Sequence, residues 1–317
     1  MSVSFSVIIP TYNQADFLRD ALDSVLKQTY QDYEIVVVNN HSTDHTLDVI
    51  QQVNNGRIQV INYQNNGIIG AARNIGIKAT TGDYIAFLDS DDTWHPTKLK
   101  RVSEVISADP QLGLICHDQE IMRDGKMAKI SRYGPPGSLQ ASLHDYLVIV
   151  GNCISTSATA VARRYVVEAG LFSEEESLIT VEDYDLWVRL SDLCSFHFIR
   201  EILGTQHFHS SSSSANTELH LRSQLAILEK HRKEMENLQR PYSRGALRIR
   251  NAKAFFGAAR QYHRTGALKN AFRYYLRTIR AYPLYQNTYA GLGLLLADLL
   301  LGQARRKKIT ENFMPGI

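Results

Sequence analysis

Short apolar runs alternate with stretches of helical periodicity over the first hundred residues. The runs have the length and the β-branched content of buried strands, and we predict strands at residues 4–10, 34–38, 57–61 and 84–88. Between them, the apolar residues at helical spacing that we expect to face inward are Phe17, Leu18, Ala21, Leu22, Val25 and Leu26, followed by Leu47 and Ile50. A short helix is expected at 70–79. This alternation predicts a doubly wound parallel sheet.

The pattern changes after residue 110 and again after residue 215. We predict strands at 112–116 and 155–162, a short helix and turn at 166–172, and a helix that begins at Glu182. A charged helical stretch follows at 219–238, and then two helices that separate near Gly266. The sequence therefore predicts an α/β domain over residues 1–215 and a helical, basic region over residues 216–317.

Three acids follow the predicted strand at 84–88, namely Asp89, Asp91 and Asp92. The carboxyl end of a strand is where an open α/β sheet usually binds its ligand. Three carboxylates in four residues repel one another unless a cation lies between them, and a divalent cation that carries substrate phosphates is the usual candidate. The alternative is a solvated acidic turn before the helix that begins near Pro96.

Composition indicates a globular protein with room for one large domain and an appendage. The chain has 317 residues, of which 44% are hydrophobic and 21% charged, so it can bury a full core. Its cysteines, Cys116, Cys153 and Cys194, match neither a metal motif nor a disulfide framework, which suggests a reducing compartment. We see no signal-peptide pattern in the first residues.

The net charge of +3 conceals a strong asymmetry. Residues 237–317 contain 15 Lys and Arg against two Asp and Glu, a net +13, so residues 1–236 carry −10. A basic region of this kind is typical of proteins that contact a polyanion, either an anionic membrane or nucleic acid. No nucleic-acid-binding motif is present, which favours the membrane.

Several short motifs occur in one order along the first 210 residues. They are VIIPTYN at 7–13, QTY at 28–30 with Glu34, STD at 42–44, ARNIG at 72–76, LDSDD at 88–92 and EDYDLW at 182–187. Each is weak alone, but their order and spacing resemble the family 2 glycosyltransferases. The resemblance implies the GT-A fold, a mostly parallel nucleotide-sugar-binding sheet flanked by helices, here with an α-helical C-terminal appendage.

The resemblance also implies a donor site for a nucleotide diphosphate-sugar, with a UDP-sugar favoured. Thr11, Tyr12 and Asn40 would hold the base and ribose, Arg73 would approach the nucleotide or its phosphates, and Asp89 would lie on the ribose side. The family usually has two aspartates where this chain has Asn39 and Asn40, so the base loses a charged acceptor. From the residues alone, Asn39-Asn40 could be a plain turn and Arg73 a surface arginine.

In the same resemblance, Asp91 holds Mg²⁺ or Mn²⁺ and His209 is a candidate for the metal shell, although an ordinary loop histidine is the alternative. The general base would be Asp183, which takes the proton of the acceptor hydroxyl on the face opposite the leaving diphosphate. By itself, the acidic start of this helix could equally be a stabilising helix N-terminus. Residues 133–145 are the expected acceptor region, and the serines at 210–214 are read as a flexible loop.

The apolar stretch at 289–301 is followed by the basic residues Arg305, Arg306, Lys307 and Lys308. It is too short to span a bilayer, which takes about 20 residues, so we expect an interfacial helix, with a buried packing helix as the alternative. The expected protein is a metal-dependent inverting glycosyltransferase of cell-surface polysaccharide synthesis, which acts on a glycan or lipid-linked saccharide. It would be cytoplasmic and peripheral on the inner face of the membrane. The competing class is a non-catalytic nucleotide-sugar or glycan-binding module.

Overall fold

The computed structural model describes residues 3–54, 56–123, 125–137, 142–209, 216–240 and 243–301. The chain divides into two compact units. We call residues 1–147 with 152–212 the sheet unit, and residues 148–151 with 213–317 the helical unit. The expected serine loop at 210–214 and the basic residues at 305–308 lie outside the described residues.

Among the described residues, a nine-stranded sheet forms the centre of the sheet unit. Its strands are β1 (Phe5–Thr11), β2 (Tyr33–Asn39), β3 (Ile58–Asn62), β4 (Tyr84–Phe87), β5 (Thr93–Trp94), β6 (Leu112–Arg123), β7 (Lys126–Ser131), β8 (Thr159–Ala162) and β9 (Ser195–Phe208). Their order is β3-β2-β1-β4-β8-β6-β9-β5, with β7 paired to β6.

The sheet is mixed, and the parallel arrangement predicted from the first hundred residues forms one half of it. The half β3-β2-β1-β4 is parallel, as predicted, and β6 also runs parallel to β9. However, β8 runs antiparallel to both β4 and β6, and β7 and β5 also pair in antiparallel fashion. The helix that follows β4 connects it to β6, but β6 does not pair with β4. The strand β8, which comes later in the chain, lies between them and pairs with both.

In the part of the chain that the structure describes, seven α-helices accompany the sheet. They are α1 (Ala15–Leu26), α2 (Thr46–Val53), α3 (Ile69–Lys78), α4 (Lys98–Ala108), α5 (Leu143–Ile149), α6 (Arg163–Glu168) and α7 (Glu182–Leu190). Two residues that we expected to face inward do not. Phe17 is 39% exposed and Leu47 is 46% exposed, because Leu18, Leu22 and Val25 already fill the buried stripe of α1 and Ile50 fills that of α2.

The helical unit contains α8 (Thr217–Asn237), α9 (Arg244–Arg264), α10 (Leu268–Ala281) and α11 (Asn287–Leu301). Asn216 and Ser243 cap α8 and α9 through side-chain oxygens that accept backbone N–H bonds. Gly266 lies between α9 and α10 at a φ of +81°, a conformation that favours glycine. None of the helices in the described part of the chain has the length and apolar character to cross a bilayer.

Candidate active site

The acidic turn after β4, residues 89–92, is held by hydrogen bonds within the turn and to neighbouring segments of the chain. The Asp92 N–H donates to the Asp89 carbonyl at 3.0 Å, and the Asp89 N–H donates to Ser157 Oγ at 3.1 Å. Asp92 is buried, and its Oδ1 accepts the His207 N–H at 2.9 Å. Burial, reinforced by Asp91 and Asp89, raises the pKa of Asp92 well above its ordinary value. Asp92 therefore anchors β9 to the turn.

Arg73 connects this turn to the start of α7. It extends from α3, is almost completely buried, and donates through Nη2 to Asp89 Oδ1 at 2.6 Å and through Nη1 to Glu182 Oε1 at 2.5 Å. Its guanidinium carbon also lies 5.3 Å from the centre of the Phe172 ring. Burial disfavours the cation, but the charges of Asp89 and Glu182 outweigh it and raise the pKa of Arg73. Arg73 is therefore charged and is not a surface arginine.

Asp91 and His209 form the second part of the site. His209 Nε2 lies 2.9 Å from Asp91 Oδ2, and the two side chains are 16% and 17% exposed. His207 Nδ1 lies 2.8 Å from the Asp91 carbonyl oxygen, which holds the end of β9 beside the turn. Burial and the neighbouring Asp89 carboxylate raise the pKa of Asp91. The structure thus brings together the two residues that we predicted as metal ligands.

This pair fits a divalent cation that is shared with substrate. Among the described residues, no cluster of three or more His, Cys, Asp or Glu side chains could enclose an ion. Asp91 and His209 supply one carboxylate oxygen and one imidazole nitrogen at adjacent positions. Mg²⁺ and ions of similar size are commonly held by one or two protein groups together with substrate phosphates and water. The two side chains therefore suit an ion whose other ligands come from a diphosphate.

Asp183 lies in the first turn of α7. The Thr156 hydroxyl donates to its Oδ2 at 2.8 Å, and the Tyr184 N–H donates to its Oδ1 at 2.7 Å. Burial raises the pKa of Asp183, although Arg73 and these hydrogen bonds oppose the rise. Burial also raises the pKa of the adjacent Glu182 to about 7. Asp183 is thus a fixed carboxylate with increased basicity, as a general base requires.

The predicted base and ribose residues lie in the loops after β1 and β2. Tyr12 is 56% exposed, whereas Thr11 and Asn39 are buried. The Asn40 N–H donates to the Thr11 carbonyl at 3.0 Å, and the Asn65 N–H donates to Asn40 Oδ1 at 2.9 Å. Since a backbone N–H can only donate, the oxygen of the Asn40 amide is fixed, and its NH₂ group is the part that can donate to a ligand.

Sequence reasoning missed several residues of the site. Thr156 and Ser157 lie in a short 3₁₀ turn before β8, where we had predicted only strand. Lys98 is completely buried, with Nζ 3.1 Å from the Ser157 carbonyl oxygen and 3.3 Å from the centre of the Trp94 ring. Contacts of this kind depend on tertiary structure. The available signal was that Trp94 and Lys98 lie four residues apart in sequence, directly after the acids.

In the expected acceptor region, residues 138–141 lie outside the described part of the chain. In the rest of it, the Tyr133 N–H donates to Asp118 Oδ1 at 2.9 Å and the Tyr133 hydroxyl contacts Gln119 Oε1 at 3.1 Å. Asp118 and Gln119 are buried in β6. The assignment to acceptor binding stays a prediction.

Comparison with known proteins gives one family. Residues 6–160 match the family model described as "Glycosyl transferase family 2". An uncharacterized glycosyltransferase of Rickettsia felis is 33% identical over 221 residues, which cover 68% of this chain and 36% of that protein. The amylovoran biosynthesis glycosyltransferase AmsB of Erwinia amylovora is 29% identical over 215 residues, covering 65% of this chain and 70% of the relative. This chain spans only about a third to a half of the length of the first curated relatives it matches.

Solved structures share the fold at low sequence identity. The structure of S. aureus TarS 1-349 in complex with UDP-GlcNAc superposes with a TM-score of 0.60 at 19% identity, covering 88% of this chain and 81% of TarS. The mannosyltransferase PcManGT from Pyrobaculum calidifontis in complex with GDP-Man and Mn²⁺ gives 0.56 at 16% identity, covering 95% and 88%. These likenesses confirm the GT-A fold that the sequence motifs implied.

Proposed function

Because this chain belongs to glycosyltransferase family 2, we propose that it transfers a sugar from a nucleotide diphosphate-sugar to a hydroxyl of a glycan or lipid-linked saccharide, with inversion at the anomeric carbon. Support for a UDP-sugar comes from TarS, which was solved with UDP and with UDP-GlcNAc. Support for polysaccharide synthesis comes from relatives named for amylovoran biosynthesis and as a chondroitin synthase.

The observation that carries this proposal is the double ion pair of Arg73. Asp89 and Glu182 are far apart in sequence, yet one buried guanidinium binds both. Asp89 belongs to the acidic turn and Glu182 directly precedes Asp183. The arginine therefore fixes the proposed base relative to the acids of the proposed donor side. Reaction of a bound donor with a bound acceptor depends on such fixed geometry.

In this proposal Asp183 accepts the proton of the acceptor hydroxyl as the oxygen attacks the anomeric carbon. Its carboxylate is held by Thr156 and by the Tyr184 N–H, so its orientation is set before the acceptor arrives. The bond between the sugar and the diphosphate breaks as the new glycosidic bond forms, and the proton remains on Asp183. Burial, which raises the pKa of Asp183, favours this transfer.

Asp91 and His209 would hold Mg²⁺ or Mn²⁺, which stabilises the charge of the departing diphosphate when bound. Thr11, Tyr12 and Asn40 would hold the nucleoside. The fixed amide of Asn40 offers N–H donors, which suit a carbonyl oxygen of a pyrimidine base and not its imide N–H. Asp89 would lie on the ribose side. Arg73 is committed to Asp89 and Glu182, and we propose that it acts on the donor through Asp89.

Two variants should affect donor binding and sugar transfer separately. Asp91→Asn should lose the Mn²⁺-dependent part of UDP-sugar binding, measured by calorimetry, with an unchanged fold. Asp183→Asn should keep donor affinity and lose about 10²- to 10⁴-fold in turnover. Asp48→Asn, an exposed acid in the first turn of α2, is the control. Wild-type protein that binds donors but transfers none to any acceptor would favour the binding module instead.

We propose in addition that the helical unit rests on an anionic membrane and that the protein works on its cytoplasmic face. The single acid of α11, Asp298, lies 2.9 Å from His263 Nε2 on α9, and Leu295 on the same side is buried. Outward apolar residues of α10 and α11 include Phe272, Leu276, Leu296, Leu299 and Leu300. Residues 243–301 contain ten Lys and Arg against this one acid. Apolar and basic surface together favour an anionic interface.

Vesicle co-sedimentation of the full chain tests this proposal. Each basic residue at an anionic leaflet contributes about 1 kcal/mol, so reversal of three charges should release most of the protein at low salt. The triple variant changes three exposed basic residues of α10 to Glu, namely Lys269, Arg273 and Arg280. The control changes exposed lysines of the sheet unit, namely Lys78, Lys126 and Lys129. Equal recovery of both variants with vesicles, or no binding by wild type, would contradict the membrane role.

A further inference from the structure

Phe17 is a large apolar residue that the fold leaves partly exposed beside the proposed metal site. Its ring lies on the outer side of α1 and stacks on the His209 ring, with a centroid distance of 4.6 Å and an interplanar angle of 11°. Nearly parallel rings at this distance attract each other beyond the area that they bury. The side chain that α1 does not use for the core therefore covers one face of a candidate metal ligand.

His209 needs such a contact because of its position in the chain. The strand β9 ends at Phe208, and pairing with β6 also ends there. His207 is held by two hydrogen bonds to the acidic turn, but His209 lies one residue beyond the last pair of the ladder. Its ring orientation thus depends on side-chain contacts, and its Nε2 points at Asp91 Oδ2 at 2.9 Å.

We propose that Phe17 is a positioning residue for the cation site, an inference that rests on the proposed metal-dependent function. The stacked ring limits rotation of the His209 side chain and keeps its Nε2 beside Asp91. A ligand whose orientation is fixed before binding loses less side-chain entropy when the ion arrives. Phe17 touches neither the reacting atoms nor the ion, and it acts through His209.

The test measures the Mn²⁺ dissociation constant of the full chain by EPR of free Mn²⁺, with and without UDP. Phe17→Leu keeps apolar bulk and removes the aromatic ring, and we expect Mn²⁺ binding to weaken about 2- to 10-fold, as the loss of one ring pair implies. Phe17→Tyr keeps the ring and should bind as wild type does. Leu47→Ala, which removes an exposed apolar side chain from α2, should also be unchanged.

The outcomes separate this inference from the proposed function. Weakened binding in Phe17→Leu, with recovery in Phe17→Tyr and equal melting temperatures without metal, supports the positioning role. Wild-type Mn²⁺ affinity in Phe17→Leu overturns it while leaving the proposed function intact. Equal loss in Phe17→Leu and Leu47→Ala also overturns it, because general packing would then be the cause. If wild-type protein binds no Mn²⁺ even with UDP, the metal site and this inference both fail.

Discussion

Replacement of Arg73 by Met is the most informative perturbation of the sheet unit. The side chains of Arg73 and Glu182 are 3% and 7% exposed, and their atoms are 2.5 Å apart. Methionine has a similar length but no charge, so Glu182 would stay buried without its partner. Asp89 would also lose an ion pair, but it is 30% exposed and water can solvate it.

The expected loss of stability follows from the exposed fractions of Glu182 and Asp89. Removal of one partner of a buried ion pair costs about 3–5 kcal/mol, whereas the partly exposed Asp89 pair adds less than about 1 kcal/mol. For a unit of this size, 1 kcal/mol lowers the melting temperature by about 2–4 °C. The variant should therefore melt about 6–24 °C below wild type at pH 8. The double variant Arg73→Met with Glu182→Gln should recover much of this loss, because it buries no unpaired charge at that position.

The loss of stability in Arg73→Met should grow as the pH rises. Burial already raises the pKa of Glu182 to about 7 in the wild type, and Arg73 opposes that rise. Without Arg73 the pKa rises further, so the folded variant holds a proton that the unfolded chain releases near its ordinary pKa. Stability from a raised carboxyl pKa is present at low pH and is lost as pH rises through the folded value. The deficit should thus be smaller at pH 6 than at pH 8.5.

Urea denaturation at the two pH values, followed by tryptophan fluorescence, measures this difference. A dependence of buried Glu182 on Arg73 is refuted if Arg73→Met is as stable as wild type, or if its deficit in stability is the same at both pH values. It is also refuted if the double variant is less stable than the single variant at pH 8.5. Any of these three results would mean that the buried carboxylate does not depend on the guanidinium.

Two further predictions concern side chains around the site. Thr156→Val removes the hydroxyl that stabilises the charged form of Asp183, so the acidic limb of the kcat/KM pH profile should move to higher pH. Thr156→Ser keeps a hydroxyl and should return the limb to its wild-type position. An unmoved limb in Thr156→Val would exclude Asp183 as the titrating base. Gly70→Ala should lower the free energy of unfolding by about 1–3 kcal/mol, because the new Cβ would lie 2.8 Å from the Ser173 carbonyl oxygen. As a control, Gly257→Ala lies in open space on α9 and should stabilise its helix by up to about 1 kcal/mol. Urea denaturation midpoints measure both changes.

The parallel half of the sheet could be predicted because its strands are buried on both faces. Residues of β1 and β2 form nearly continuous apolar runs, and such runs are a local signal. In the other half only the start of β6 and β8, which are also buried, gave such a signal. In the fourteen-residue strand β9, most residues are exposed or half-buried, and we predicted no strand there. The strand β7 is exposed along almost its whole length and was missed for the same reason.

The site could be predicted where chemistry is concentrated in sequence. Asp91 and Asp183 each lie in a short acidic motif, which was enough to name them as candidates, and their roles stay predictions. Contacts between distant elements could not be predicted in this way. Thr156 appears in sequence as an ordinary strand residue, and Phe17 as a core residue of an amphipathic helix, because only tertiary structure brings their partners beside them.

Because Arg73 is buried and paired with two carboxylates, its positive charge is not available to neutralise a bound diphosphate. From the family resemblance this arginine would approach the donor, but its 3% exposed side chain already binds two carboxylates. A diphosphate could bind the guanidinium directly only by displacing Asp89 or Glu182 from a buried ion pair, which would leave a carboxylate without compensation. Charge neutralisation of the incoming diphosphate must then come from elsewhere. In the proposed function, a cation at Asp91 and His209 supplies this charge, so we expect donor binding to depend on the metal.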